Sequence, residues 1–175
     1  MPTNLKTYIR DVPGFPKPEI VFKDITTLLK DKDGFRAAVD QLADKYKDRR
    51  IDLVACVEAR GFTLGAAVAY KLGAGVVIAR KPKKLPAKTI REEYSLEYGT
   101  DALEMHEDAI QKGQRVLVLD DLLATGGTAL ATVRLVERLG GTVVGVAFLI
   151  DLAFLKGRDK LKGYDVQALI SYDHE

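Results

Sequence analysis

Apolar positions along the chain switch repeatedly between two rhythms. Residues 116–119 form a short continuous apolar run, as in a strand covered on both faces within a parallel sheet. Ala129, Leu130, Val133, Leu135, Val136 and Leu139 then recur at helical spacing until Gly140 and Gly141 stop them. Upstream, Phe35, Ala38, Val39, Leu42, Ala43 and Tyr46 make one face of a helix, with Asp33 placed to cap it. Residues 51–57 read as a strand, 62–72 as a helix closed by Gly73, and 75–79 as the next strand. Residues 142–150 and 166–170 supply two more. Buried strands separated by helices need right-handed crossovers, so the pattern predicts an α/β fold: a doubly wound, mostly parallel sheet flanked by helices. Residues 1–29 are broken by Pro13, Pro16 and Pro18 and read as an appendage to that core.

Composition adds exclusions rather than a function. A chain of 175 residues, 47% hydrophobic and 30% charged, has the make-up of one globular domain and not of a disordered segment. A net charge of +2 does not supply the basic field of a nucleic-acid binder. No apolar run reaches transmembrane length and residues 1–4 do not open a signal peptide, so the cytoplasm is the expected location and no membrane partner is expected. The single cysteine, Cys56, lies in an apolar run and reads as packing. His106 and His174 lack partners at metal-ligand spacing, so no protein-held metal site is expected.

Chemistry concentrates where the apolar run meets Asp120 and Asp121. Leu122-Leu123-Ala124-Thr125-Gly126-Gly127-Thr128 then leads into the helical pattern. The first amides of a helix lack carbonyl partners and carry partial positive charge, which makes an anion site. Gly126 and Gly127 let the backbone come close to a bound group, and Thr125 and Thr128 add hydroxyl donors. Two adjacent carboxylates repel a polyphosphate but accept hydrogen bonds from vicinal hydroxyls. Phosphate on the amides and a diol on the acids together describe a ribose 5-phosphate. The competing phosphate motifs, G-x-x-x-x-G-K-[ST] and a G-x-G-x-x-G opening a helix, do not occur.

Ligands of open α/β sheets bind beyond the carboxyl ends of the strands, which directs attention to the loop after residue 57. It reads Glu58-Ala59-Arg60-Gly61-Phe62, either a surface arginine beside a cap or a second anion site whose planar guanidinium suits a diphosphate. Arg80, Lys81, Lys83, Lys84 and Lys88 surround Pro82 and Pro86 in a polar connection. By composition it is a solvated loop, an electrostatic patch for RNA, or a lid. Alternation at residues 94–98 and 102–105 around Gly99-Thr100-Asp101 predicts a hairpin. Val21-Phe22, read alone, is a core edge strand.

The segment from Asp120 to Thr128 resembles the phosphoribosyl-diphosphate motif of the type I phosphoribosyltransferases. Its Leu-Leu-Ala-Thr-Gly-Gly-Thr form, with Tyr94-Ser95-Leu96-Glu97-Tyr98-Gly99, is similar to the adenine-using branch, and the resemblance spans nearly the whole chain. It implies one domain over residues 1–175, with a hood at 1–29, a lid and hairpin at 80–106, and the motif with its helix at 115–139. The implied reaction joins adenine to 5-phosphoribosyl 1-diphosphate, giving AMP and diphosphate in purine salvage. By that resemblance Asp120 and Asp121 orient the ribose hydroxyls, and Ala124, Thr125, Gly126, Gly127 and Thr128 hold the 5′-phosphate. Arg60 meets the diphosphate with Lys81, Lys84 and Lys88 of the lid, in which Lys83 stands where many relatives carry Gly. Glu104 is the expected general acid/base at purine N7. Val21, Phe22, Lys23 and Leu122 form the base pocket, with Lys23 in place of the usual Arg and Phe22 and Leu122 on the two faces of the purine. The resemblance further implies Mg2+ carried mainly by the substrate diphosphate, and a homodimer. Two alternatives stay open: another purine base, or a non-catalytic regulator that senses phosphoribosyl diphosphate.

Overall fold

The computed structural model describes residues 3–96 and 98–175. A 3₁₀ turn, Leu5–Tyr8, leads into a short antiparallel pair, β1 (Arg10–Pro13) and β2 (Val21–Asp24), and then a single helical turn, α1 (Thr26–Leu29). Next come α2 (Lys32–Asp44), β3 (Leu53–Val57), α3 (Arg60–Leu72) and β4 (Gly75–Ala79). An antiparallel hairpin of β5 (Thr89–Ser95) and β6 (Thr100–His106) precedes β7 (Arg115–Leu123), α4 (Gly127–Arg138), β8 (Thr142–Leu152) and β9 (Val166–Tyr172).

The central sheet runs β4-β3-β7-β8-β9, and every neighbouring pair in it is parallel. The inner strands β3, β7 and β8 are covered on both sides, as their unbroken apolar runs require. Val54 and Cys56 of β3 pack with Leu42 of α2 and with Leu64 and Val68 of α3. Ala55 and Val57 face the other way, into a cluster with Val133 and Val136 of α4 and Leu103 and Met105 of the hairpin. The predicted doubly wound sheet is therefore the observed one. Its strand order reverses between β3 and β7, the switch point at which such sheets open a crevice for a ligand.

Several boundaries move, each for a local reason. The cap of α2 is Asp31, not Asp33: the Asp31 carboxylate accepts from the amides of Asp33 (3.0 Å) and Gly34 (2.8 Å). Asp33 instead lies in the first turn, where its charge suits the helix dipole. The strand at residues 116–119 continues through both acids to Leu123, because β8 pairs alongside it as far as Asp151. Regular pairing resumes at Thr89, so the open polar connection ends at Lys88. Its root is pinned by two backbone hydrogen bonds between Arg80 and Glu104, of 2.9 and 2.7 Å. The N-terminal segment is more than an appendage, since Leu5, Ile25 and Leu28 are buried in the cluster beneath α2. Glu97, in the first predicted strand of the hairpin, lies outside the described residues.

Candidate active site

Two loops meet at the carboxyl ends of β3 and β7, and one glycine allows it. A Cβ on Gly61 would stand 2.9 Å from the Asp120 carboxylate and 3.2 Å from the Leu119 carbonyl. Without a side chain there, α3 begins directly against β7, and Arg60 in its first turn reaches the acids. The Arg60 Nε lies 2.8 Å from Oδ2 of Asp121, which is only 3% exposed. The backbone amide of Asp121 donates to the Asp120 side chain at 2.8 Å. Burial, and then the neighbouring Asp121 charge, hold the Asp120 carboxyl well above its ordinary value, against the weaker pull of Arg60.

Beyond the acids the chain turns through Ala124 and Thr125 into α4. Gly126 precedes that helix at φ +83° and no side chain caps it, so the first-turn amides are left for a ligand. A Cβ on Gly126 would collide with the Gly157 carbonyl, and one on Gly157 with the Ala124 carbonyl. The loop after β8 thus presses the phosphate-type loop from behind. In front, a Cβ on Gly127 would stand 3.2 Å from the Tyr94 ring of β5. The loops enclose a cavity of about 370 Å³ lined by Arg60, Lys81, Asp120, Asp121, Leu122 and the turn from Ala124 to Thr128, with Tyr94 and Phe148 among its walls.

The residues 24–172 match the family described as phosphoribosyl transferase domain. The chain belongs to the phosphoribosyltransferase family. The adenine phosphoribosyltransferase of Thermotoga maritima is 59% identical over 97% of this chain and 98% of its own length, and that of Alkaliphilus metalliredigens 62% identical over 97% and 99%. The crystal structure of adenine phosphoribosyltransferase from Thermoanaerobacter pseudethanolicus has a TM-score of 0.94 at 55% identity, covering 96% of this chain and 98% of that one. The Saccharomyces cerevisiae enzyme, crystallised with an imino-altritol bisphosphate and adenine, has a TM-score of 0.88 at 36% identity, covering 94% and 95%.

Not every residue expected at a phosphoribosyltransferase site reaches this cavity. Glu104 does not line it; its Oε2 accepts the Lys83 amide at 3.1 Å, so in this structure the carboxylate engages the lid. Lys83 holds φ +66°, which explains why glycine suits that position. Lys84 and Lys88 are exposed and lie outside the cavity, leaving Lys81 as its lid cation. Val21 and Phe22 are half-buried behind Arg60, whose guanidinium sits 5.2 Å from the Phe22 ring centre. Lys23 is buried and points elsewhere.

The structure also adds residues. Lys81 is held by the Asp101 carboxylate and by the Tyr94 hydroxyl at 3.0 Å. Tyr94 and Asp101 are direct cross-strand partners, a relation that pairing the hairpin's alternation around Gly99 would have exposed. Glu58 accepts the Lys81 amide at 2.7 Å and the Arg80 Nε at 3.3 Å, fastening the lid root to β3. Gly157 had no local signal, because its purpose depends on a loop some thirty residues away (roughly one helix and one strand of this fold type).

Proposed function

We infer that the chain transfers the 5-phosphoribosyl group from its 1-diphosphate to adenine, releasing AMP and diphosphate. The observation that carries the reading is the meeting of an acid pair at the end of β7 with an uncapped helix start and an arginine from the neighbouring loop. Near-full-length identity to adenine phosphoribosyltransferases supports adenine as the base. In this reading Asp120 and Asp121 accept the ribose hydroxyls, and the turn from Ala124 to Thr128 holds the 5′-phosphate on its backbone amides and threonine hydroxyls. Arg60 and Lys81 meet the diphosphate, and Lys84 and Lys88 join them only when the lid moves inward. Phe22 and Leu122 cover the purine faces, while Val21 and Lys23 offer backbone groups to its edge. Catalysis then rests on positioning and on fixed charges aimed at the leaving group.

The donor set suits magnesium carried by the substrate. Hard carboxylate oxygens stand at the cavity, but Asp121 is already on Arg60, and among the described residues no cluster of three or more ligating side chains could hold an ion alone. When bound, magnesium would neutralise part of the diphosphate charge, and Asp120 and Asp121 are the residues that would help to hold it there.

We place the enzyme in the cytoplasm. Among the described residues no helix is long and apolar enough to cross a membrane. Burial, and then Asp120, push the Cys56 thiol up to about 12, which leaves it inert. We also assign a homodimer, supported by an apolar patch on the β4 edge. The deciding assay supplies labelled adenine and phosphoribosyl diphosphate, with and without magnesium. Magnesium-dependent AMP is expected, and no AMP under either condition would refute the reading.

A further inference from the structure

The strand β2 carries different chemistry on its two faces. Successive strand residues point to opposite sides. Phe22 turns toward Arg60 and meets the Phe15 ring edge-on, with centroids 5.3 Å apart. Lys23 turns the other way and is 6% exposed. Its ammonium lies 2.9 Å from Asp11 Oδ1 on β1 and 4.3 Å from the centre of the Tyr172 ring, at the end of β9. Lys6 approaches the same ring at 4.8 Å.

This is a costly way to fill space. Withdrawing an ammonium from water is unfavourable, and the Asp11 carboxylate that compensates it is 56% exposed and so solvent-screened. The ring face returns part of the loss. An apolar side chain of the same length would pack there without the penalty. What the charge adds is uniqueness of register, because only one alignment satisfies it. The β1–β2 pair is four residues long on each strand and shares no backbone ladder with the central sheet. A pair that short is marginal alone. A slip of one residue would turn Phe22 into the interior, turn Lys23 toward Arg60, and break the Asp11–Lys23 alignment.

We propose that Lys23 is a positioning residue for the purine: seated between Asp11 and the Tyr172 ring, it locks β2 so that Phe22 presents its face to the base. The inference rests on the reading that adenine lies against Phe22. The test compares wild type, Lys23→Met, Lys23→Arg and Tyr172→Leu for kcat, for KM of each substrate, and for melting temperature. Lys23→Met is expected to raise KM for adenine by about tenfold while KM for phosphoribosyl diphosphate stays within about twofold. Lys23→Arg restores the adenine KM, and Tyr172→Leu reproduces the loss. Asp11→Asn, a milder change, raises the same KM by about threefold and carries the test if Lys23→Met does not fold. An unchanged adenine KM, equal rises in both KM values with a lower melting temperature, or failure of Lys23→Arg to rescue would each overturn the proposal. Wild-type protein that makes no AMP overturns the underlying reading of function, and this inference with it.

Discussion

Asp120 and Asp121 show how a binding site can work against the stability of the residues that build it. Two carboxylates share one desolvated strand end, and a single half-exposed arginine offsets one of them. The Asp120 carboxyl therefore holds its proton to higher pH in the folded chain than in the unfolded one, which releases it near 3.8. Between those two points the folded state binds more protons, so this residue's contribution to stability declines as pH rises. Asp120→Asn removes that penalty and keeps an oxygen to accept the Asp121 amide. Its melting temperature should exceed that of the wild type, and the gap should widen from about pH 4 toward neutrality, as scanning calorimetry across pH would report. The same change should lower kcat/KM for phosphoribosyl diphosphate by about 10²-fold, because the ribose loses a charged acceptor. A variant that is both fully active and no more stable would remove Asp120 from the proposed ribose contact. The acid pair was legible in the sequence because its chemistry is contiguous. Lys81 was legible as a cation; the Tyr94 and Asp101 that aim it become legible only once the predicted hairpin is paired in register around Gly99.

Between elements, the decisive contacts are backbone against backbone. Gly126 and Gly113 both have positive φ, +83° and +85°, yet only Gly126 is crowded. A Cβ on Gly113 meets nothing within 4 Å, so Gly113→Ala should cost only the left-handed strain, roughly 1–2 kcal/mol. Gly126→Ala adds a clash with the Gly157 carbonyl, for roughly 1–3 kcal/mol more, and should also displace the turn that receives the 5′-phosphate. Denaturant melts and an activity assay on the two variants separate strain from crowding, and equal losses in both would discount the role given to the Gly157 loop. The lid allows a similar discrimination. Since Glu104 accepts the Lys83 amide, Glu104→Leu should loosen the lid and lower turnover by less than about tenfold, with the pH profile of kcat unchanged. Loss of a general acid/base would instead cost about 10²–10⁴-fold and remove a limb of that profile. A loss of that size would return Glu104 to the chemistry. The sequence could name Glu104 as an acid near the lid; its direction was set by the bridge between Arg80 and Glu104, which no local pattern encodes.

At the scale of the molecule, periodicity carried most of the architecture. Unbroken apolar runs in β3, β7 and β8 can be buried only between two helical layers, and both layers are present. Periodicity was silent on the N-terminal segment, where prolines hide the fact that Leu5, Ile25 and Leu28 complete one of those layers. It was also silent on what covers the sheet's first edge. Along β4 the buried residues Val77 and Ala79 alternate with Val76 and Ile78, which are 46% and 36% exposed. In register these two neighbour Val54 and Cys56, on the face that α3 covers, and α3 itself leaves Tyr70 exposed. An edge strand with apolar side chains and open backbone groups invites pairing with another chain unless it is protected. A second copy related by a two-fold axis would protect both edges at once, because such an interface uses the same patch on each partner. Light scattering on purified protein should therefore give twice the chain's mass. Val76→Lys together with Tyr70→Glu should shift the protein to monomer without unfolding it, since neither side chain enters the core. A wild type that runs as a monomer at micromolar concentration, or a doubly charged variant that remains dimeric, would place the interface elsewhere or remove it.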